Sequence, residues 1–299
     1  MTTVPRPRLT LDRSTAPLLV FAGVVSVQFG GALAATLVPR IGAVGSVLMR
    51  LAFAMVILCA VARPRLRGRS GRAWGTVVLF GVALAAMNTA FYSSLAYLPI
   101  GVAVTVEFLG PLALAAVLSR RPRDLTAVLA AGLGVALVSG ATDATWGRFE
   151  PIGLLWAGAA GVLWAAYIVL SQRTGTLFDG VDGLAVALVV ASLVVMPFGL
   201  TSVDSWTPEI LALGLGIAVL SSVLPYSFEL MALRHLSQSV FGILLSLEPA
   251  VAALAGLIVL GQVLDGRQVL GLLLVVVASA IVLSAKREQD PPDAVTGSG

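Results

Sequence analysis

The sequence predicts an all-α integral membrane protein with ten transmembrane helices arranged as two inverted five-helix repeats. Three observations predict it. Hydrophobic residues make up 58% of the 299 and charged residues only 11%, where soluble domains carry roughly 25% charged residues. Apolar runs of about 17–25 residues recur along the whole chain, each long enough to cross about 30 Å of hydrocarbon. The runs are continuous rather than alternating, which favours helices over the strands of an outer-membrane barrel.

The elements follow in order. Residues 1–16 are polar, with Arg6, Arg8 and Arg13, and read as a cytoplasmic N-terminal segment. The apolar run behind them is too long for the core of a signal peptide, so it is the first span, 17–38. The second span is 42–62. An arginine-rich segment, 63–72, separates it from 74–96. The next span, 100–119, ends at Arg120-Arg121-Pro122-Arg123, and 125–141 completes a first repeat, 17–145. Polar residues from Asp143 to Glu150 lead into the second repeat, 146–285, with spans at 151–171, 183–200, 209–231, 238–260 and 268–285. Residues 286–299 hold Gln289-Asp290-Pro291-Pro292-Asp293 and read as a disordered cytoplasmic tail.

Basic residues set the orientation. With the N-terminus inside, the inner loops hold fifteen of them and the outer loops three, Arg40, Arg148 and Arg267, while Arg50 lies in the membrane. The positive-inside rule then puts both termini in the cytoplasm. The net charge of +4 is explained by these loops and is no nucleic-acid signal. The arginine run 63–72 reads as topology in the same way. A single lysine, Lys286, beside eighteen arginines suggests a GC-rich bacterial gene and hence the inner membrane. The single cysteine, Cys59, has no partner in the chain for a disulfide and reads as packing.

The chain repeats weakly. Moving residues 95–118 forward by 138 lays Leu95, Leu98 and Pro111 on Leu233, Leu236 and Pro249. A five-span unit crosses the membrane an odd number of times, so its second copy enters from the opposite side. That is an inverted-topology repeat, the layout from which alternating access arises.

Arg50, Glu107, Glu229 and Glu248 lie inside apolar runs. A charge near the bilayer centre costs about 2.5–3.5 kcal/mol on insertion scales, so such residues face a protein interior or a water-filled cavity. Arg50, Glu107 and Glu248 fall near mid-depth. One positive and two negative groups there suit a small zwitterion: Arg50 can grip a carboxylate in bidentate fashion, and a glutamate can receive an ammonium group or carry a proton. The alternative is that Arg50 and Glu107 neutralise each other and hold helices together. Glu248 precedes Pro249, and Glu107 has Gly110-Pro111 one turn on. Interrupted spans in corresponding positions point to a midplane site, although two packing kinks would look the same. Glu229 lies near the cytoplasmic end of its span, below Pro225-Tyr226, and suits a gate or structural role with them. Trp164 and Tyr167 sit away from the interfacial aromatic belts and either line a cavity or pack. Gln28, Asn88 and Tyr92 offer hydrogen bonds to a substrate or between helices.

Some chemistry is excluded. No Gly-x-x-x-x-Gly-Lys loop exists, and no soluble portion is large enough to bind ATP. The lone histidine, His235, leaves no metal cluster, and no nucleophile–base pair shares a depth. Neither a cofactor nor enzymatic activity is expected. The implied partners are a small-molecule substrate, protons and the lipid bilayer; monomer and homodimer both stay open. A non-transporting membrane partner protein would leave the midplane ions unexplained.

Several segments carry a family resemblance. They are Leu48-Met49-Arg50-Leu51-Ala52, Met87-Asn88 with Phe91-Tyr92, and Leu98-Pro99-Ile100-Gly101 running on to Glu107-Phe108-Leu109-Gly110-Pro111. In the second half they are Trp164-Ala165-Ala166-Tyr167, Leu224-Pro225-Tyr226-Ser227-Phe228-Glu229 and Glu248-Pro249-Ala250. On these the chain resembles the EamA-type exporters of the drug/metabolite transporter superfamily, from about residue 20 to 285. The resemblance implies ten helices, export from the cytoplasm and proton antiport. It implies small neutral amino acids as cargo, threonine and homoserine first, with another metabolite or a drug as the alternative. The family places a glutamate after the Leu-Gly that ends span nine; here Gly261 is followed by Gln262.

Orientation is directly testable. In a Cys59→Ser background, single cysteines at Ser70, Thr145 and Ser205 are expected to react with an impermeant thiol reagent on intact cells at the second and third positions only. Labelling of Ser70→Cys from outside would overturn the orientation.

Overall fold

The computed structural model describes residues 16–119, 122–139, 150–179, 181–225, 228 and 244–287. Every regular element among the described residues is helical. The elements are α1 (Ala16–Ala62), α2 (Gly71–Ser94), α3 (Ile100–Glu107), α4 (Leu109–Ser119), α5 (Pro122–Ser139) and α6 (Pro151–Gly175). They continue with α7 (Asp182–Gly199), a 3₁₀ stretch (Leu200–Ser205), α8 (Pro208–Ala218), a π-turn (Val219–Val223), α9 (Glu248–Leu260) and α10 (Gly266–Arg287). The segments Ala16–Ala62, Gly71–Ser94, Pro151–Gly175 and Asp182–Ser205 are long and apolar enough to cross a membrane, and shorter apolar helices accompany them. Leu18, Leu79, Val162, Phe198 and Ile258 are each at least 60% exposed. So wide a spread of bare apolar surface is stable only against hydrocarbon.

Helix breaks follow from local chemistry. The first two predicted spans form one helical run that continues through Pro39 and breaks at Gly42, with φ 74° and ψ 165°. A side chain there would meet nothing within 4 Å, so the glycine is needed for its backbone angle alone. Helix α2 starts at Ser70, whose hydroxyl accepts from the Ala73 N–H at 3.2 Å, an ordinary N-cap. Helices α3 and α4 divide the predicted span 100–119 at Phe108. Pro111 has no N–H to return to the carbonyl of Glu107 four residues back. Pro249 was expected to kink a span; it instead stands in the first turn of α9, where a missing N–H is harmless. The turn before α9 covers Ser246 and Leu247. Phe108 and Ser246 are 138 residues apart, the offset of the sequence repeat.

Helix α1 packs on α7, α8 and α9; α2 on α6 and α7; α3 on α6 and α9; α5 along α10. Small residues allow the closest crossings. A Cβ on Gly161 would stand 2.6 Å from the Glu107 carbonyl oxygen, and a Cβ on Gly110 would collide with the Gly161 backbone. Helix α6 is thereby seated on the α3–α4 break, where Trp164 meets Phe108 edge to face, 5.6 Å between centroids.

Arginines 63–72 are more than a topology signal. Arg69 donates to the Leu177 carbonyl and to Asp179, both at 2.9 Å, and lies 4.9 Å from the Phe178 ring. It clasps the segment between α6 and α7.

Candidate functional site

Arg50 lies where the second half of α1 meets the π-turn. Arg50 is half-buried. Its Nη2 donates to the Ser221 carbonyl at 2.9 Å and its Nε to the Ser222 hydroxyl at 3.3 Å. The guanidinium also lies 5.8 Å from the Tyr92 ring centroid, within cation–π range. Tyr92 itself is fully buried at 0% exposure, and its hydroxyl has no hydrogen-bond partner among the described residues. Phe91 supports it edge-on at 6.1 Å.

Glu107 closes α3 beside this group and is buried. It makes no ion pair among the described residues; Arg50 acts on it through space. The alternative raised by the sequence, direct neutralisation of Arg50 by Glu107, is therefore not the arrangement found.

A second pair joins the first half of α1 to the start of α9. Gln28 Nε2 stands 3.5 Å from Glu248 Oε2, at the limit of a hydrogen bond, and both residues are buried. Because Gln28 and Arg50 share α1 across the Gly42 break, one element carries contacts to both clusters.

The remaining candidates divide. Asn88 is buried but its amide donates to the Leu84 carbonyl at 2.8 Å, a bond within its own helix. Tyr167 packs on Phe80 at 5.2 Å and Trp164 on Phe108, both partly exposed. Pro111 lies one turn after the Phe108 break, and Pro249 stands in the first turn of α9. Pro225 is buried and follows the π-turn. Tyr226 and Glu229 lie outside the described residues.

Two residues escaped the sequence reading, and a third was named there without a role. Ser221 and Ser222 hold Arg50. The signal was present, since a proline four residues after Ser221 removes that carbonyl's helical donor, but two serines in an apolar run carry no charge to single them out. The third is Gln262. Its Oε1 accepts from the Ile100 N–H, the open first donor of α3, at 3.1 Å, while its own N–H returns to Gly256 past the left-handed Gly261. Gln262 thus caps α3 without a charge.

Comparison with known proteins agrees with this frame. Residues 151–284 match the EamA-like transporter family. The chain is 39% identical over 276 residues to the threonine/homoserine exporter RhtA of Salmonella typhimurium, covering 91% of this chain and 92% of the relative. It is 38% identical over 266 residues to RhtA of Escherichia coli K12, covering 88% and 89%. An uncharacterized transporter of Bacillus subtilis, YwfM, is 26% identical over 233 residues, covering 74% of this chain and 77% of its own. One crystal structure shares the fold at a TM-score of 0.62 and 22% identity, covering 93% of this chain and all of the other.

The Tyr92 hydroxyl yields a stability prediction. Removing a buried polar group that has no partner is neutral or stabilising, by up to about 1 kcal/mol. Tyr92→Phe is therefore expected to melt in detergent at or above the wild-type temperature. A fall of several degrees would mean that the hydroxyl is hydrogen-bonded in the resting protein.

Proposed function

The chain belongs to the EamA-like transporter family, and on that premise we propose that it is a secondary-active exporter of small neutral amino acids, threonine and homoserine foremost. One observation carries the reading. Arg50, half-buried, and Glu107, buried, carry opposite charges that act on each other through space without forming an ion pair with each other. A zwitterion fits between such groups, its carboxylate toward Arg50 and its ammonium toward Glu107, with the Tyr92 hydroxyl as a donor or acceptor between them. The names of the relatives over about nine-tenths of the chain supply the class of cargo.

The cycle follows from the repeat. Ten spans in two inverted halves, with both termini in the cytoplasm, exchange conformations and open the site to one side and then the other. A neutral zwitterion moving outward transfers no net charge. A proton moving inward draws on both the pH difference and the membrane potential, the latter worth about 2.3 kcal/mol per charge per 100 mV. A mid-depth carboxylate is the natural carrier, taking its proton from outside and losing it as the substrate's ammonium group arrives. Glu107 suits this role, with Glu248 on the other cluster as the second candidate.

Arg50 gives the direct test. Arg50→Lys keeps the charge and loses the bidentate fork, so KM for threonine in proteoliposomes is expected to rise about tenfold, with kcat changed far less. A well-folded Arg50→Ala variant with wild-type KM would remove Arg50 from the site and the reading with it.

A further inference from the structure

The contacts of Arg50 have an origin in the backbone of the second half. In an α-helix each carbonyl accepts from the N–H four residues on. For Ser221 that residue is Pro225, which has no N–H. For Leu220 it is Leu224, whose N–H is drawn one residue further back, to Val219, by the π-turn. Two successive carbonyls in the membrane thus lose their helical donors. Both are answered from α1: Ser26 Oγ donates to Leu220 O at 2.6 Å, and Arg50 Nη2 to Ser221 O at 2.9 Å. Ser222 adds its hydroxyl to Arg50 Nε, while the Ser221 hydroxyl is committed to Ile217 O at 2.6 Å. Gly30 lets the helices approach this closely, since a Cβ there would stand 2.9 Å from the Ser221 Cβ.

We propose that Pro225 and Ser222 are positioning residues for Arg50: the proline vacates a carbonyl, the arginine fills it, and the serine fixes the rotation of the guanidinium toward the substrate. The proposal rests on the reading of Arg50 as the carboxylate-binding group. A guanidinium held in one orientation recognises a planar carboxylate by geometry, whereas a loosely held one acts as a bare charge. The clamp therefore sets the preference for a free amino acid over its amide. The π-turn is a rearranged helix of the kind often found at functional sites, and here it has a stated task.

The test compares KM for threonine and for threoninamide, which keeps the hydroxyl and amino groups but lacks the carboxylate, in counterflow with purified protein in liposomes. Wild type is expected to prefer threonine. Pro225→Ala restores an N–H that competes for the Ser221 carbonyl, and Ser222→Ala removes the second anchor. Each is expected to reduce the threonine preference about tenfold, the effect of one hydrogen bond to a charged group, chiefly by raising KM for threonine. Ser222→Thr keeps the hydroxyl and should retain the preference. A merely structural role would depress both substrates alike and leave the ratio unchanged. If Ser222→Ala and a folded Pro225→Ala keep the wild-type ratio while Arg50→Lys loses it, the clamp is wrong and the site reading stands. If Arg50→Lys also keeps the ratio, both fall. Should Pro225→Ala not fold, the Ser222→Ala and Ser222→Thr pair decides the question.

Discussion

A bilayer offers no hydrogen bonds, so every backbone group that loses its helical partner must be answered from within the protein. This constraint organises the central region. Pro111 withholds a donor from Glu107, and the helix divides at Phe108. Pro225 withholds one from Ser221, and Arg50 crosses from α1 to supply it. Pro249 avoids the difficulty by standing in the first turn of α9, where helices leave their N–H groups open in any case. Each solution either bends an element or recruits a side chain from the other half, so the prolines shape the backbone and determine where charge can reside.

The electrostatics follow from that arrangement. An arginine in hydrocarbon is tolerated when it has acceptors, and here the acceptors include a carbonyl and a hydroxyl. Glu107 makes no direct ion pair with Arg50, and on the proposed reading the two charges serve a ligand carrying both signs. Had they met directly, the pair would have held helices together and offered a zwitterion little. The second cluster, Gln28 with Glu248, repeats the theme of a carboxylate beside a broken helix, although the halves are not strict copies. Glu107 precedes its break and Glu248 follows its own.

Much of this was legible in the sequence. Uninterrupted apolar runs defined α2, α6 and α7, and a misplaced charge in such a run is conspicuous, which is why Arg50, Glu107 and Glu248 could be singled out. The exact break in α1 was not legible. Pro39 and Arg40 suggest a loop, but the helix continues through them, and Arg40 pairs with Glu209 at 2.7 Å. The reversal waits for Gly42, whose value lies in a dihedral angle that hydropathy does not register. Asn88 offered hydrogen bonds to a substrate or between helices, and its amide makes one bond within its own helix. Ser221 and Ser222 were missed. A serine in a membrane helix commonly bonds its own backbone, as Ser221 does to Ile217, and only the fold shows that the adjoining carbonyl and hydroxyl belong to an arginine some 170 residues away.

The measurement that bears most directly on the central claim is uptake of radiolabelled threonine by purified protein in sealed liposomes without ATP. The account predicts counterflow of threonine and homoserine, and accumulation against a concentration gradient when a pH difference and membrane potential are imposed. It further predicts that Glu107→Gln or Glu248→Gln abolishes accumulation while exchange persists, because glutamine resembles the protonated acid. Wild-type liposomes that move no small neutral amino acid, or variants at both glutamates that still concentrate threonine under the imposed gradient, would contradict it.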